Sequence, residues 1–403
     1  MKPDVKRALV AIAAATVILT LASLAVPAAP AAAKPAAAKP APSAASPASS
    51  ASLDKDTVGG PLMASTGIAV NYPSPGAPKL PQVPVSAYVI ADANTGAVLA
   101  ADDPHGLFPP ASTLKVLTAI TMLPRLNPNA LVKASKLAAS AEPNIVGLIA
   151  GRRYKVADLF RALLLISAND AAVALVQASG SFSKGMALVN AEAHHLQAYD
   201  VVAKQPNGLP APGQVVSAYD LALIARQALS MPAFMKYDST LSARFPVTGR
   251  DKVTLVNQNY LLTQYKGGLG GKIGWTSRAE ATYIGLARRH GVTLIVTILH
   301  CTPLQEIYSA EKLLNWGFEM AGHVKPVGAL VEPLQPARPR RTASRPRSAA
   351  GLTGAAGSLS GATRGSQSGQ LLIGGMIAAV LGIGLLGYVL FRRRLQMGKR
   401  AAR

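Results

Sequence analysis

Two hairpin patterns lie far apart in this chain, with helical periodicity between them, and that arrangement limits what the chain can build. Residues 86–93 alternate in polarity and are rich in β-branched side chains. Asn94-Thr95-Gly96 supplies a turn, with Gly96 suited to positive φ, and 97–101 run back. Much later, 271–276 and 282–289 read as strands, His290-Gly291 as a two-residue turn, and 292–299 as the returning strand. Between them come runs of period 3.6: 112–123, ended by Pro124, then 156–166, 170–178, 183–196 and 217–230. An amphipathic helix over 303–318, with Ile307, Leu313, Leu314 and Phe318 on one side, closes the pattern. An isolated hairpin is marginal in water. The simplest packing is therefore one antiparallel sheet built from both ends, flanked by helices, with a helical lobe inserted: an α/β fold of the α+β kind.

The packed domain is expected over 83–321. Residues 34–82 form an Ala/Pro/Ser-rich spacer and 333–370 a Pro/Arg/Ser/Gly-rich linker; both are too poor in large apolar groups to bury a core. Residues 1–33 carry Lys2, Lys6 and Arg7, an apolar run over 8–24 and small residues around Ala29-Pro30-Ala31, the pattern of a secretory signal, with an uncleaved anchor as the alternative. Residues 371–391 are apolar and uncharged over 21 positions, the length of a transmembrane helix. The basic tail 392–403, opening with Arg392, Arg393 and Arg394, places that end in the cytoplasm. The expected location is the cell membrane, single-pass, with the folded domain outside.

The net charge of +22 is unevenly spread. Residues 333–403 hold 12 of the 41 basic side chains and no acid, and residues 1–39 hold five with one acid. The remaining 24 bases and 18 acids leave 40–332 at +6, so nucleic-acid binding is not implied. Cys301 is the single cysteine, so no internal disulfide exists; it reads as a small buried residue ending a strand. The six histidines do not suggest a site: His194 and His195 are adjacent on one helix and point in different directions, and the others are scattered. No metal or cofactor is expected.

Three short motifs carry chemistry. Ser-x-x-Lys occurs four times, at Ser52, Ser112, Ser181 and Ser309. Only Ser112 opens a helix whose next turn is apolar, which places Lys115 on the same face and free N–H groups nearby. A lysine with its ordinary pKa of about 10.4 is a poor base at neutral pH. Burial and a second cation, Lys272, would lower it. The bland reading of Ser112 is a helix N-cap. Ser167-Ala168-Asn169 is the one Ser-x-Asn and falls at a break between helices, where capping by Ser167, Asn169 or Asp170 is the bland alternative. Lys-x-Gly occurs at Lys266 and Lys272; the second opens a strand, where Gly274 lets a substrate backbone approach closely.

In order and context these motifs resemble the low-molecular-mass penicillin-binding D-alanyl-D-alanine carboxypeptidases, of serine β-lactamase-like fold. The likeness covers about 85–320, through PASTLKVLTAITML, VADLFRALLLISANDAA, QPNGLPAPGQVVSAYDLALIARQAL and GGKIGWTSRAEATYIGLARRHGVTLIVTIL. It implies that Ser112 forms an acyl-enzyme, Lys115 takes its proton and Ser167 relays a proton to the leaving group with Lys272. Asn169, Lys272, Gly274, Trp275 and Thr276 would bind substrate, and the N–H groups of Ser112 and Trp275 would form an oxyanion hole. The implied partners are peptidoglycan stem peptides, with β-lactams as covalent inhibitors. The alternatives are a D,D-endopeptidase or weak β-lactamase of the same fold, or a non-catalytic wall-binding homologue. Glu142 is not placed like the deacylating glutamate of class A β-lactamases.

The sequence departs from the family pattern at Ile273, where Thr or Ser usually donates to the substrate carboxylate. Losing one hydrogen bond to a charged group costs about 1.5–3 kcal/mol. Strand alternation puts Thr276 on the opposite face; Arg278 is the other candidate anchor.

Overall fold

The computed structural model describes residues 56–247 and 251–335. The expected signal (1–33), all but the first three residues of the linker, the transmembrane stretch 371–391 and the tail 392–403 lie outside the described residues. Among the described residues no helix is long and apolar enough to cross a membrane.

Strand β1 (Ile68–Val70) is followed by β2 (Val85–Asp92) and β3 (Ala97–Asp102). A 3-10 turn, Ala111–Thr113, leads into α1 (Leu114–Met122). Next come β4 (Leu131–Lys133), α2 (Lys136–Ala139), β5 (Arg153–Lys155), α3 (Val156–Leu165) and α4 (Asn169–Ala178). The helices α5 (Phe182–His195), α6 (Ala218–Leu229) and α7 (Pro232–Asp238) follow, then the hairpin of β6 (Ser242–Pro246) and β7 (Lys252–Val256) and a short α8 (Leu261–Gln264). The chain returns to the sheet as β8 (Gly268–Thr276), β9 (Glu280–Arg289) and β10 (Val292–Cys301), and ends with α9 (Glu306–Met320) and β11 (Gly328–Ala329).

The main sheet has the order β1-β3-β2-β10-β9-β8, with β11 also on β3, and every pairing is antiparallel. The two distant hairpins meet along β2 and β10, in register from Leu294 opposite Asp92 to Cys301 opposite Val85. At the β9–β10 turn His290 and Gly291 both have positive φ (49° and 83°), as a two-residue turn with the strands' own twist requires.

Alternation along β2 sends Tyr88 and Ile90 into the layer filled by Leu313, Leu314, Trp316 and Met320 of α9. Val89 and Ala91 enter the larger core shared with α1, α3, α4 and α6. Because both faces of the sheet are covered, β10 is apolar almost throughout, unlike a sheet with one wet face. Each fully buried leucine, such as Leu313, contributes roughly 1.5–3 kcal/mol. Cys301 ends β10 fully buried, as expected, and burial pushes its thiol up to about 11, so it is no nucleophile at neutral pH.

The expected spacer, 34–82, is folded from residue 56 onward. Pro61–Ala64 form a 3-10 turn, Met63 is completely buried, and β1 pairs with β3. The indole N–H of Trp316 donates to Pro78 O at 3.0 Å. Beyond 321, Val327 and Leu330 are buried and β11 pairs with β3. Both segments are held largely by backbone pairing to one sheet edge, which composition cannot register.

Candidate active site

Ser112 lies in the 3-10 turn ahead of α1 and does not cap it. Thr113 Oγ1 donates to Pro110 O at 2.5 Å instead. Ala111 takes φ 45°, a conformation costing a non-glycine residue roughly 1–3 kcal/mol unless its surroundings enforce it. They do. Thr282 Oγ1 of β9 donates to Pro110 O at 2.9 Å, and Gly208 (φ 80°) packs so closely that a Cβ there would come 1.6 Å from Ala111 O. Strand β8 presses from the other side: a Cβ on Gly274 would lie 2.7 Å from Ser112 N. The Ser112 turn is thus clamped by two glycines and a threonine distant in sequence.

Lys115 is completely buried at the second position of α1, one turn beyond Ser112. Its Nζ donates to Asn169 Oδ1 at 2.7 Å and to Asn207 O at 2.8 Å, and lies 2.7 Å from Ser112 Oγ. Burial, then the charge of Lys272, hold its pKa well below the usual lysine range, with Asp170 opposing. A neutral amine has two N–H donors and one lone pair. Two fixed acceptors take the donors, so the lone pair faces the Ser112 hydroxyl.

The break between α3 and α4 places the second motif. Ser167 has φ 61°, is buried, and its Oγ has no hydrogen-bond partner. None of Ser167, Asn169 and Asp170 caps α4 by side chain; its N-cap is Ala168. Asn169 spends its amide across the cleft: Oδ1 accepts from Lys115 and Nδ2 donates to Glu142 O at 2.9 Å. The Asp170 carboxylate accepts from the N–H groups of Val146, Gly147 and Leu148, which fixes the loop that Asn169 reaches. Asp170 Oδ1 also accepts from Ala171 N at 2.9 Å, inside the first turn of α4, so one carboxylate serves both the helix start and the loop packed over it.

On β8, Lys272 is buried and its Nζ donates to Ile273 O at 2.8 Å. Burial lowers it to about 8, with Asp238 opposing. Asp238, at the end of α7, is itself raised to about 7 by burial, with the Gly271 N–H (2.6 Å) and Lys272 opposing. Thr276 Oγ1 accepts from Ala279 N at 3.0 Å, and Trp275 is 61% exposed.

An open cleft of about 660 Å³ joins these pieces. Its wall includes Ser112, Ser167, Asn169, Ile273, Gly274, Trp275 and Thr276, with Lys115 and Lys272 beneath the surface. Ile273 and Thr276 both line it although alternation puts them on opposite faces, because β8 is the sheet edge and the cleft wraps around it. Arg278, the alternative anchor, is exposed and not part of the wall. Sequence reasoning missed Asn207, Asp238, Gln258 and Glu306, and set aside Glu142, an exposed residue of the cleft wall. Helix periodicity reads Glu306 only as the solvated start of α9, and the others carry no motif.

The rival strings find plain roles. Ser181 is an N-cap, its Oγ accepting from Lys184 N at 3.0 Å; Ser309 is buried beside Cys301; Lys266 is exposed in a turn; Ser52 is outside the described residues. One histidine joins a cluster of titratable groups among the described residues. His105, Asp200 and Asp220 bring potential ligand atoms within 4.8 Å of one another. Both His105 ring nitrogens are already engaged, by Asp200 Oδ2 at 2.6 Å and Val58 O at 3.1 Å, which ties the segment before β1 to the loop after β3.

Comparison with known proteins shows the family. The profile of the D-alanyl-D-alanine carboxypeptidase family, peptidase S11, matches residues 74–302. A D-alanyl-D-alanine carboxypeptidase of Mycobacterium tuberculosis is 37% identical over 251 residues, covering 61% of this chain and 86% of that protein. One from Bacillus subtilis is 27% identical over 237 residues; this match spans 61% of its length, under two thirds. The crystal structure of a Mycobacterium tuberculosis D-alanyl-D-alanine carboxypeptidase superposes with TM-score 0.61 at 35% identity, over 65% of this chain and 99% of that one. A Streptomyces DD-transpeptidase superposes with TM-score 0.55 at 26% identity, over 59% of this chain and 99% of that one. The fold, the order of the motifs and these matches agree: the chain belongs to the peptidase S11 family of D-alanyl-D-alanine carboxypeptidases.

Proposed function

We propose that this protein is a serine D-Ala-D-Ala carboxypeptidase acting on peptidoglycan stem peptides through an acyl-enzyme on Ser112. The observation that carries the reading is Lys115 Nζ, 2.7 Å from Ser112 Oγ with its two other positions filled by Asn169 Oδ1 and Asn207 O. The neutral amine takes the Ser112 proton as Oγ attacks the carbonyl between the two terminal residues. The backbone N–H groups of Ser112 and Trp275 receive the oxyanion, a type of contact worth about 2.7–4 kcal/mol per donor in a measured protease. Ser167, whose Oγ faces the cleft without a partner, passes a proton to the departing amine with Lys272 behind it. The proton taken by Lys115 ends on the leaving amine, and the lysine, neutral again, accepts a proton from the water that releases the acyl group and restores Ser112. Asn169 and the β8 backbone around Gly274 align the peptide, and the exposed Trp275 supplies an apolar surface at the mouth. β-Lactams would acylate the same serine.

The charge pattern of the two ends supports export and a single C-terminal anchor, with the catalytic domain outside the membrane and the basic tail in the cytoplasm. Release of D-alanine from a pentapeptide stem, compared between wild type and Ser112→Ala, tests the activity. Ser112-dependent release is expected; no release by the wild type would overturn it.

A further inference from the structure

Two small hairpins at the start of α3 frame a second cavity, of about 490 Å³, which shares no lining residue with the Ser112 cleft. Burial alternates along β5: Tyr154 is inside, and Arg153 and Lys155 on either side of it are exposed. β5 pairs with β4, and β6 with β7. The Tyr154 ring stacks on Phe245 of β6 with centroids 5.7 Å apart, which joins the two hairpins. On the second hairpin Phe245 is buried while Arg244 and Lys252 are exposed.

Five cations line this cavity, Arg153, Lys155, Arg161, Arg244 and Lys252, against one acid, Asp158. That acid is already taken, because Arg161 Nη1 donates to its Oδ1 at 2.7 Å. The other four cations form no ion pair among the described residues. The cavity thus carries a net +4, where all of 40–332 sums to +6. Charges of one sign around a cleft focus its field and gather counter-ions. The Ser112 cleft has the opposite character, since its ionisable wall residues are Glu142 and Glu306. A polyanion is therefore drawn to one cavity and not to the other.

Three of the five cations are arginines, whose planar fork matches the oxygens of an anionic group. A bilayer presents its phosphates in a plane and meets cations on a protruding face. These cations line the inside of a cavity, which a chain can enter. A polyol-phosphate chain is flexible and charged on every short unit, so several charges fit in this volume; an acidic polysaccharide spaces its carboxylates on rigid rings.

The geometry points to this cavity as a docking site for a polyol-phosphate chain, a phosphodiester polymer met on the outer side of the membrane. The ten residues of α3 separate the cavity from the second motif by roughly 15 Å, so a docked chain would hold the Ser112 cleft close to whatever carries that chain. The inference goes beyond the peptidase reading and does not depend on it, since no residue of the Ser112 cleft takes part.

The test titrates the full-length protein in neutral detergent with fluorescent, lipid-free poly(glycerol phosphate). Wild type should bind it, more weakly as salt is raised. Arg153→Glu/Arg244→Glu should raise Kd about tenfold or more, the scale of one hydrogen bond to a charged group. Lys266→Glu/Lys325→Glu, the same charge change at exposed positions outside the cavity, should leave it within about twofold. Thermal unfolding checks the fold of each. Lys155→Gln/Lys252→Gln, which leaves both hairpins' arginines in place, should weaken binding about threefold and serves if the arginine pair unfolds the protein. No binding by the wild type would overturn the inference, as would equal losses in the cavity and control variants. Tighter binding of polygalacturonate, or of phosphatidylglycerol in mixed micelles at equal anion concentration, would overturn the choice of chain.

Discussion

The helical wall of the cleft and its strand wall are built to different standards around the same serine. On the helical side Lys115 has every position of its amine filled, Asn169 uses both ends of its amide, and Asp170 fixes the adjoining loop with three N–H bonds. On the strand side Lys272 and Gly274 keep their places, but Ile273 presents hydrocarbon and Glu306 Oε2 is unpaired. The difference separates two tasks. In the proposed mechanism the helical wall supplies the nucleophile and its base, and the strand wall holds the peptide.

The largest effects should come from the helical wall and fall alike on every substrate. Ser112→Ala should cost on the order of 10⁴–10⁶ in kcat/KM, as removal of a nucleophile does in other serine enzymes. Lys115→Met should cost about 10²–10⁴, the range of a lost general base. Penicillin acylation rates would show both losses, and a Lys115→Met enzyme acylating at the wild-type rate would break the comparison at its stronger side. The pH profile follows. Lys115 acts only when neutral, so activity rises with pH through its depressed pKa. Lys272 acts protonated, so activity falls again as pH passes about 8. Each limb should change about tenfold per pH unit.

The strand wall should give smaller effects. Ile273→Thr should raise cleavage of D-Ala-D-Ala peptides about tenfold, the scale of one hydrogen bond to a carboxylate. No gain would show that another group already meets the carboxylate. The smallest change is expected from Asp238→Asn. Removing a negative charge lowers the pKa of Lys272 further, so the alkaline limb should move below pH 8 while the acid limb stays.

Much of this is legible in the sequence where residues act through local pattern. Alternation and turn chemistry give the two hairpins within a residue or two, and Ser112 and Lys115 are one helical turn apart wherever the helix packs. What is illegible arrives from a distance. Asn207 O, which completes the environment of Lys115, is a backbone atom 92 positions away. Gly208 holds Ala111 in its strained conformation from a loop with no motif. Asp238 reaches Gly271 across 33 positions, and Glu306 enters the cleft from the helix that closes the opposite face of the sheet. Met63 and β1 look like spacer because three residues on a sheet edge need few apolar side chains.

The most direct measurement is the intact mass of the purified protein after benzylpenicillin, with the modified peptide mapped. The account predicts one penicilloyl group per chain, on Ser112, at a rate that falls steeply in Lys115→Met, and none in Ser112→Ala. An unmodified wild-type protein, or an adduct that persists in Ser112→Ala, would contradict it.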